Sequence, residues 1–241
     1  MRLAELAPSR PTALRTEPVD APRRALQVHR MRHRGAGAVI VGGAAFAYVL
    51  LGRRWQIRWG ATDGELDEPL AGDDLILNPN LTSTRAITIG ASVDRVWPWI
   101  AQLGQGRGGF YSYDLLENLV GCDIHSADRI VPEWQGVQVG DKVNLHPDVA
   151  LEVANFVPER SLVMRGGVPM VNAEPPYEFT WAFVLRDGPD RTTRLVVRER
   201  YGYTRWWAGV LVEAVEAASF VMSQKMLRGI RDRVELTATV T

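Results

Sequence analysis

The hydrophobic pattern of the chain changes character at about residue 84. Before it, one unbroken apolar run, GAGAVIVGGAAFAYVLLG, covers residues 35–52. After it, apolar residues recur at every second position or at every third to fourth position, as half-buried strands and amphipathic helices require. The pattern therefore predicts an N-terminal region with a single apolar segment, followed by one folded domain.

The apolar run is long enough to cross a membrane. Eighteen residues at about 1.5 Å rise span roughly 27 Å, close to the roughly 30 Å hydrocarbon core of a bilayer. Arginines stand at both ends of the run and none inside it, which is typical of a membrane boundary. A cleaved signal peptide and a buried helix are the alternatives. The long preceding stretch and the lack of a small-x-small cleavage pattern disfavour the signal peptide, so we predict a single-pass cell-membrane protein.

The flanking charges predict an orientation. Six arginines lie in residues 15–34 against three in residues 53–72, which favours a cytoplasmic N-terminus and an extracytoplasmic domain. Residues 1–34 carry eight arginines against three acidic residues and are predicted to be a disordered basic tail. Residues 53–83 are rich in Asp, Glu, Gly and Pro and are predicted to be a solvated acidic linker.

The domain is predicted to cover residues 84–236, with a short tail at 237–241. Its patterns indicate a strand at 84–90, a helix capped by Ser92, a short helix at 114–120 and a long helix at 206–236. Strand patterns occur at 142–146, 149–157, 161–165, 177–186 and 192–204. The basic tail adjoins the predicted membrane span, so we predict that its partner is the anionic membrane surface and not nucleic acid. The single cysteine excludes an intrachain disulfide.

Glu199 is the most informative single residue. Alternation along the last strand places it on the same face as Val197 and Tyr201, which is the predicted inner face. A buried carboxylate must be paired or protonated. Two interpretations remain open: a structural ion pair with an arginine such as Arg129, or a role in ligand contact or proton transfer.

Two short motifs partly resemble cofactor sites. Residues 104–109 (GQGRGG) have the glycine spacing of a dinucleotide-binding loop, but a helix precedes them where a strand is required. Cys122 and His125 could form one pair of metal ligands, but no second pair follows at ligand spacing. The sequence therefore predicts no metal and no cofactor.

The domain's element order, β-α-α-β-β-β-β-β-α, and three of its segments resemble a known superfamily. These segments are RAITIGASVDRVWPWI at residues 85–100, the alternating hairpin at 177–204 and the terminal helix. They are similar to the START-like, helix-grip superfamily of polyketide cyclases, dehydrases and lipid-transport domains, often grouped as SRPBCC. The resemblance covers about residues 84–235. It implies an α+β fold with a curved antiparallel sheet around a long C-terminal helix and an apolar cavity between them. It implies no catalytic residue, because shape defines the superfamily.

These observations predict a membrane-anchored START-like domain that binds an apolar small molecule or lipid in an internal cavity. The alternative is a polyketide cyclase/dehydratase-like enzyme in which Glu199 or His125 acts as general acid/base. The predicted partners are the apolar ligand and the membrane. The side chains expected to contact the ligand are Tyr111, Tyr113, Arg129, Trp181, Glu199 and Tyr201.

Overall fold

The computed structural model describes residues 52–167 and 174–238. Within them, five α-helices and six strands follow one another along the chain. Their order is α1 (Arg53–Ile57), α2 (Asp63–Asp67), β1 (Leu81–Ile89), α3 (Val93–Ala101), α4 (Asp114–Leu119), β2 (Lys142–His146), β3 (Val149–Val157), β4 (Ser161–Gly166), β5 (Tyr177–Asp187), β6 (Thr193–Tyr203) and α5 (Ala208–Ala238).

The six strands form one antiparallel sheet in the order β1-β6-β5-β4-β3-β2. Register shifts between Asn144 and His146 and between Val153 and Asn155 interrupt the pairing at the β2 end, and such irregularities bend a strand. The long helix α5 packs on β1 and β6, and α3 packs against α5. The predicted α+β architecture of an antiparallel sheet with a long C-terminal helix is therefore confirmed.

The predicted elements lie within three residues of the observed ones. The first strand begins earlier than predicted, at Leu81, and α5 begins two residues later, at Ala208. Pro98 lies inside α3, which begins at Val93 after Ser92. Because a proline lacks an N–H, it removes one hydrogen bond from the middle of this helix.

The core lies between the sheet and the helices α3 and α5. Trp99, Phe183 and Ile230 are among its fully buried members. Gly229 allows α5 to approach the loop after α3, because a Cβ at this position would lie 2.2 Å from the carbonyl oxygen of Tyr111. The close approach requires glycine at this point of the helix.

The acidic stretch before β1 is not a solvated linker. Residues 58–76, here called the cover segment, contain α2 and pack on the sheet face opposite α5. Leu70 contacts Ala86 and Val196 in a small apolar cluster, and the backbone N–H of Ala86 donates to the carbonyl of Trp59 at 3.1 Å. These contacts all involve residues before β1, so the folded part extends well before residue 84.

Arginines on the outer face of β6 bind the cover segment. The Arg194 guanidinium forms a bidentate ion pair with the Glu65 carboxylate, with N···O distances of 2.7 and 2.8 Å. Arg198 is buried and donates to the carbonyls of Glu65 and Glu68 and to the Asp73 carboxylate. The acidic residues therefore pair with arginines of the sheet. A segment whose composition is typical of a solvated linker is thus a packed part of the fold.

The predicted membrane segment, residues 35–52, lies outside the described residues except for Gly52. Within residues 52–167 and 174–238, no helix is both long and apolar enough to cross a bilayer. The basic tail at 1–34 is likewise outside the described residues.

Candidate functional site: an apolar cavity beside a buried charge cluster

An apolar cavity of about 420 Å³ lies between the inner face of the sheet and α5. Ala218 on α5 lines it and is itself exposed, so the cavity opens to the surface beside this helix. The volume is within the range of small-molecule sites. The lining residues are Phe110, Ser112, Glu117, Cys122, Leu145, Tyr177, Phe179, Trp181, Glu199, Tyr201, Val215, Ala218, Ser219, Met222, Ser223 and Met226.

Aromatic rings form the sheet wall of this cavity. Alternation along β5 and β6 points Tyr177, Phe179, Trp181 and Tyr201 to the same face, and Phe110 from the loop after α3 joins them in a series of tilted pairs. The ring centroids of Phe179 and Tyr201 are 4.8 Å apart, those of Tyr177 and Tyr201 are 5.6 Å apart and those of Phe110 and Trp181 are 5.8 Å apart. Met222 and Met226 of α5 supply flexible apolar surface on the helix wall.

A buried charge cluster of Arg85, Glu199 and Glu216 adjoins the cavity. Arg85 on β1 is 1% exposed. Its guanidinium binds Glu199 of β6 at 3.1 Å and also binds Glu216 of α5. Sheet register explains the first contact, since Glu199 lies opposite Ser83, two residues from Arg85 on the same face of β1. The cluster therefore ties β1, β6 and α5 together.

Hydrogen bonds occupy both oxygens of the Glu199 carboxylate. Its Oε1 accepts from Arg85, from Ser219 at 3.0 Å and from Ser223 at 3.1 Å. Its Oε2 lies within 3.0 Å of the Ser219 hydroxyl and accepts from Tyr201 at 3.2 Å. A carboxylate offers about four acceptor sites, so this group is saturated by the protein itself.

The cluster holds one positive charge against two carboxylates. Burial raises the pKa of the Glu216 carboxyl above its ordinary value, although the Arg85 guanidinium lowers it. Burial, followed by the adjacent Glu199 charge, raises the pKa of Tyr201 well above that of a free phenol. Tyr201 is therefore a neutral hydrogen-bond donor to Glu199 at physiological pH.

Helix α4 and its flanks add a second polar group to the cavity lining. The Ser112 hydroxyl donates to Oε1 of Glu117. The other oxygen, Oε2, is buried and has no hydrogen-bond partner among the described residues. Burial raises the pKa of this carboxyl. Burial, followed by the nearby Glu117 charge, also raises the pKa of the Cys122 thiol.

The structure brings three of the predicted ligand residues to the cavity. Trp181, Glu199 and Tyr201 line it. The other three lie elsewhere in the described structure. Tyr111 is buried in the core, where its hydroxyl donates to the Trp99 carbonyl. Tyr113 is exposed, and the Lys225 ammonium lies over its ring.

Arg129 and His125 do not occupy the positions at the ligand site that the sequence predicted for them. Arg129 is exposed and is not the partner of Glu199, because Arg85 occupies that position. His125 does not line the cavity, and its side chain is 82% exposed beside Asp123. Arg85 and Arg129 are both far from Glu199 in the sequence. Strand alternation alone therefore could not show which arginine pairs with Glu199.

Sequence reasoning missed Arg85, Glu216 and Glu117, although a signal existed for the first two. Arg85 alternates with Ile87 and Ile89 on the inner face of β1, and an arginine there requires a buried acid. On α5, Glu216, Ser219 and Ser223 recur at helical spacing within an otherwise apolar face. Glu117 lies on a helix of six residues, too short for its pattern to show a face.

A second depression, of about 670 Å³, lies beside β2, β3, β4 and β5. Glu152 and Arg165 line it and form an ion pair at 2.8 Å. Both side chains are about half exposed, at 47% and 54%. A lining of this kind favours solvent over an apolar molecule, so the apolar cavity is the candidate ligand site.

The glycine-rich loop at residues 104–109 is a closed turn. Gly104 and Gly109 donate to each other's carbonyls at 3.0 Å, and both have positive φ angles. A Cβ on Gly108 would lie 2.7 Å from the carbonyl oxygen of Gln102. The glycines therefore serve this backbone geometry.

Comparisons with known proteins give structural similarity at low sequence identity. No family model matches the chain, and no curated protein matches it. MLL2253 from Mesorhizobium loti is similar over 65% of this chain and 98% of that one, with 14% identity and a TM-score of 0.41. CalU16 from Micromonospora echinospora is similar over 66% of this chain and 86% of that one, with 16% identity and a TM-score of 0.31.

DynU16, a protein of the dynemicin biosynthetic locus, is similar over 62% of this chain and 47% of that one. Its identity is 17% and its TM-score is 0.35. Similarities of this size assign no function, which must come from the cavity itself.

Proposed function

We propose that this protein is a ligand-binding domain that takes up an apolar small molecule or lipid in the cavity between the sheet and α5. The apolar cavity carries this proposal. Its aromatic and methionine walls supply hydrophobic contact, and the exposed Ala218 marks an opening through which a ligand can enter.

The state of Glu199 favours binding over catalysis. A general base needs a free acceptor within reach of the proton that it removes, whereas both oxygens of Glu199 accept bonds from the protein. His125, the other candidate acid/base, is exposed and does not line the cavity. The cyclase/dehydratase-like alternative therefore finds no support in the positions of its two candidate residues.

Occupancy of the cavity can be tested with a blocking variant. The full-length protein is purified in mild detergent, incubated with 2-methylnaphthalene and freed of unbound probe, and the bound probe is released and quantified. Ala218→Trp should fill the opening and reduce bound probe at least tenfold. Ala214→Trp, one helical turn earlier at an exposed position outside the cavity lining, is the matched control and should bind as the wild type does. Equal binding by Ala218→Trp, or no binding by the wild type, would contradict the proposal.

We also propose that the domain is held at the cell membrane by residues 35–52, with the domain on the extracytoplasmic side. The length of the apolar run and the arginine excess before it support this. With a tag after Thr241, protease added to intact cells should remove the tag. Protection until the cells are permeabilised would reverse the orientation, and release of the protein by alkaline carbonate would refute the anchor.

A further inference from the structure

Three of the chain's tryptophans are exposed, and they lie near one another in the fold. The sequence has eight tryptophans, all within the described residues. Trp55, Trp206 and Trp207 are exposed, whereas the other five are buried or half-buried. Trp206 is 95% exposed, although burial of an indole ring is favourable. Exposed apolar side chains that occur together indicate a surface that meets a partner.

Helix α1 is fixed against the first half of α5. Arg53 forms a bidentate ion pair with Glu213, in which the arginine Nε lies 2.8 Å from Oε2. Three residues later in the chain, the Gln56 side chain donates to the buried Glu216 carboxylate. The two pairs advance along α1 and α5 in the same direction, so the start of α1 lies toward the start of α5.

The exposed tryptophans flank these contacts. The Trp55 ring lies edge-on to Phe220 of α5, with ring centroids 5.1 Å apart. Val210 precedes Glu213 by about one helical turn on the same side of α5, and it is 82% exposed. Trp206 lies in the turn directly before α5. Exposed apolar side chains therefore accompany the first half of α5. Together they are called the tryptophan surface here: Trp55, Trp206, Trp207 and Val210.

The last residue of the apolar run adjoins this surface in the chain. Gly52 ends the run and directly precedes Arg53, so Trp55 follows the run within one helical turn. Arg54 and Arg205 are exposed and each neighbours an exposed tryptophan in the sequence. Tryptophan rings prefer the level of the lipid headgroups, where a membrane span ends, and arginines attract anionic lipid. The surface therefore has the composition of a bilayer interface.

We propose that the tryptophan surface lies on the bilayer, with its indole rings at the level of the headgroups and Arg54 and Arg205 among the lipid phosphates. This inference rests on the proposed membrane anchor and adds a second contact, in which the folded domain itself binds the membrane surface. A second copy of the chain suits this surface less well, because a two-fold contact brings the same arginines together and like charges repel.

Quenching of tryptophan fluorescence tests the contact in the full-length protein. The protein is reconstituted into vesicles of phosphatidylglycerol and phosphatidylcholine, with the phosphatidylcholine either plain or brominated in its acyl chains. Brominated lipid quenches indoles at the bilayer, and acrylamide on both sides of the vesicles quenches indoles in water. The emission of Trp206 is the difference between the wild type and Trp206→Phe. We expect brominated lipid to quench this emission by about half or more, and acrylamide to quench it only weakly.

A relocated tryptophan is the matched control. Leu236 is exposed near the other end of α5, roughly 40 Å from the start of this helix at about 1.5 Å per residue. Adding Leu236→Trp to Trp206→Phe therefore moves one exposed indole along the same helix. The emission gained over Trp206→Phe alone should be quenched by acrylamide and not by brominated lipid. Equal quenching of the two indoles by brominated lipid would refute the assignment of the contact to the tryptophan surface.

The outcomes separate this inference from the proposed anchor. If the protein resists alkaline carbonate but only acrylamide quenches Trp206, the anchor stands and the contact is refuted. If neither quencher reaches Trp206, protein covers it, either a second copy or residues 35–51, and the contact is again refuted. If brominated lipid quenches Trp206 and carbonate then releases the protein, the anchor is refuted and the contact stands. A protein that does not associate with the vesicles refutes both.

Discussion

At the scale of single residues, Arg85 determines how two carboxylates are accommodated in the interior. Its guanidinium contacts both Glu199 and Glu216, and all three side chains are almost completely buried. A buried acid without a partner is strongly destabilising. The two acids differ in their surroundings, however, because hydrogen bonds surround Glu199 on both oxygens whereas burial disfavours the charge of Glu216.

This difference predicts unequal effects of neutralising the two acids. Glu199→Gln replaces one acceptor oxygen by a donor and leaves serine and tyrosine hydroxyls facing it, so it should lower the free energy of unfolding by about 3 kcal/mol. Glu216→Gln leaves the Arg85–Glu199 pair and should cost less than about 1 kcal/mol at pH 7. Urea unfolding of both variants measures the difference, and a larger loss for Glu216→Gln would contradict this account.

The pH dependence of Glu216→Gln has a definite sign. Because the pKa of Glu216 is raised in the folded protein, the folded state binds its proton more tightly than the unfolded state does. Wild-type stability from this group is thus fully present below the ordinary carboxyl pKa and declines as pH rises through the folded value. Relative to the wild type, Glu216→Gln should gain stability as pH rises.

At the scale of elements, the cover segment shows how charge alone can mislead. Its acidic residues, together with glycine and proline, resemble a solvated linker in sequence. Outward arginines alternate along β6 at positions 194, 198 and 200, and these are the partners of the acids. The Thr62–Glu65 capping box starts α2, and Glu65 also receives Arg194. One residue thus fixes both the helix end and its attachment to the sheet.

The attachment of α2 predicts an acid-sensitive contribution to stability. The hydrogen-bonded Arg194 guanidinium holds the pKa of Glu65 at about 2, below its ordinary value of 4.5. The contribution is therefore present above pH 4.5 and is lost as pH falls through about 2. The difference in unfolding free energy between the wild type and Glu65→Gln should be constant near pH 7 and shrink between pH 4.5 and 2.

Arg194→Met provides the control for this titration. Without the guanidinium, Glu65 loses the main cause of its lowered pKa, so introducing Glu65→Gln into Arg194→Met should give a difference that changes little over the same pH range. An unchanged pH dependence would show that Arg194 does not set the titration of Glu65.

At the scale of the whole molecule, the sheet is covered on both faces. Helices α3 and α5 cover the inner face, and the cover segment buries Ala86, Val196 and Arg198 on the outer face. A sheet with one polar, solvated face could stand without such a layer. Here the outer face of β6 includes a fully buried valine, so the fold requires residues before β1.

This requirement predicts different outcomes for two N-terminal truncations. Residues 52–241 should unfold cooperatively with a Tm within a few degrees of that of the full-length chain. Residues 77–241 keep all six strands but lose α1 and the cover segment, exposing apolar surface and removing the Asp73 and carbonyl partners of Arg198, so their Tm should fall by more than 10 °C or the protein should aggregate. Circular dichroism measures both transitions, and equal melting of the two truncations would show that the cover segment is dispensable.

The sequence by itself determined the local elements and the inner face of the sheet. Side chains alternate along a strand and recur every 3.6 residues on a helix, so Trp181, Glu199 and Tyr201 could be placed on the inner face from neighbouring residues alone. Only the tertiary structure decided what lies opposite them. Arg85 is 114 residues from Glu199, and periodicity specifies a face but not the partner that register and packing bring to it.

The same reason accounts for the cover segment and for the cavity. Local composition identifies residues 58–76 as acidic, but their binding to the sheet depends on arginines more than 120 residues away. Residues of α4 and β5 line one cavity only because the fold brings these two elements together. Patterning therefore fixed the elements, because it depends on neighbouring residues, whereas contacts between distant segments fixed the site.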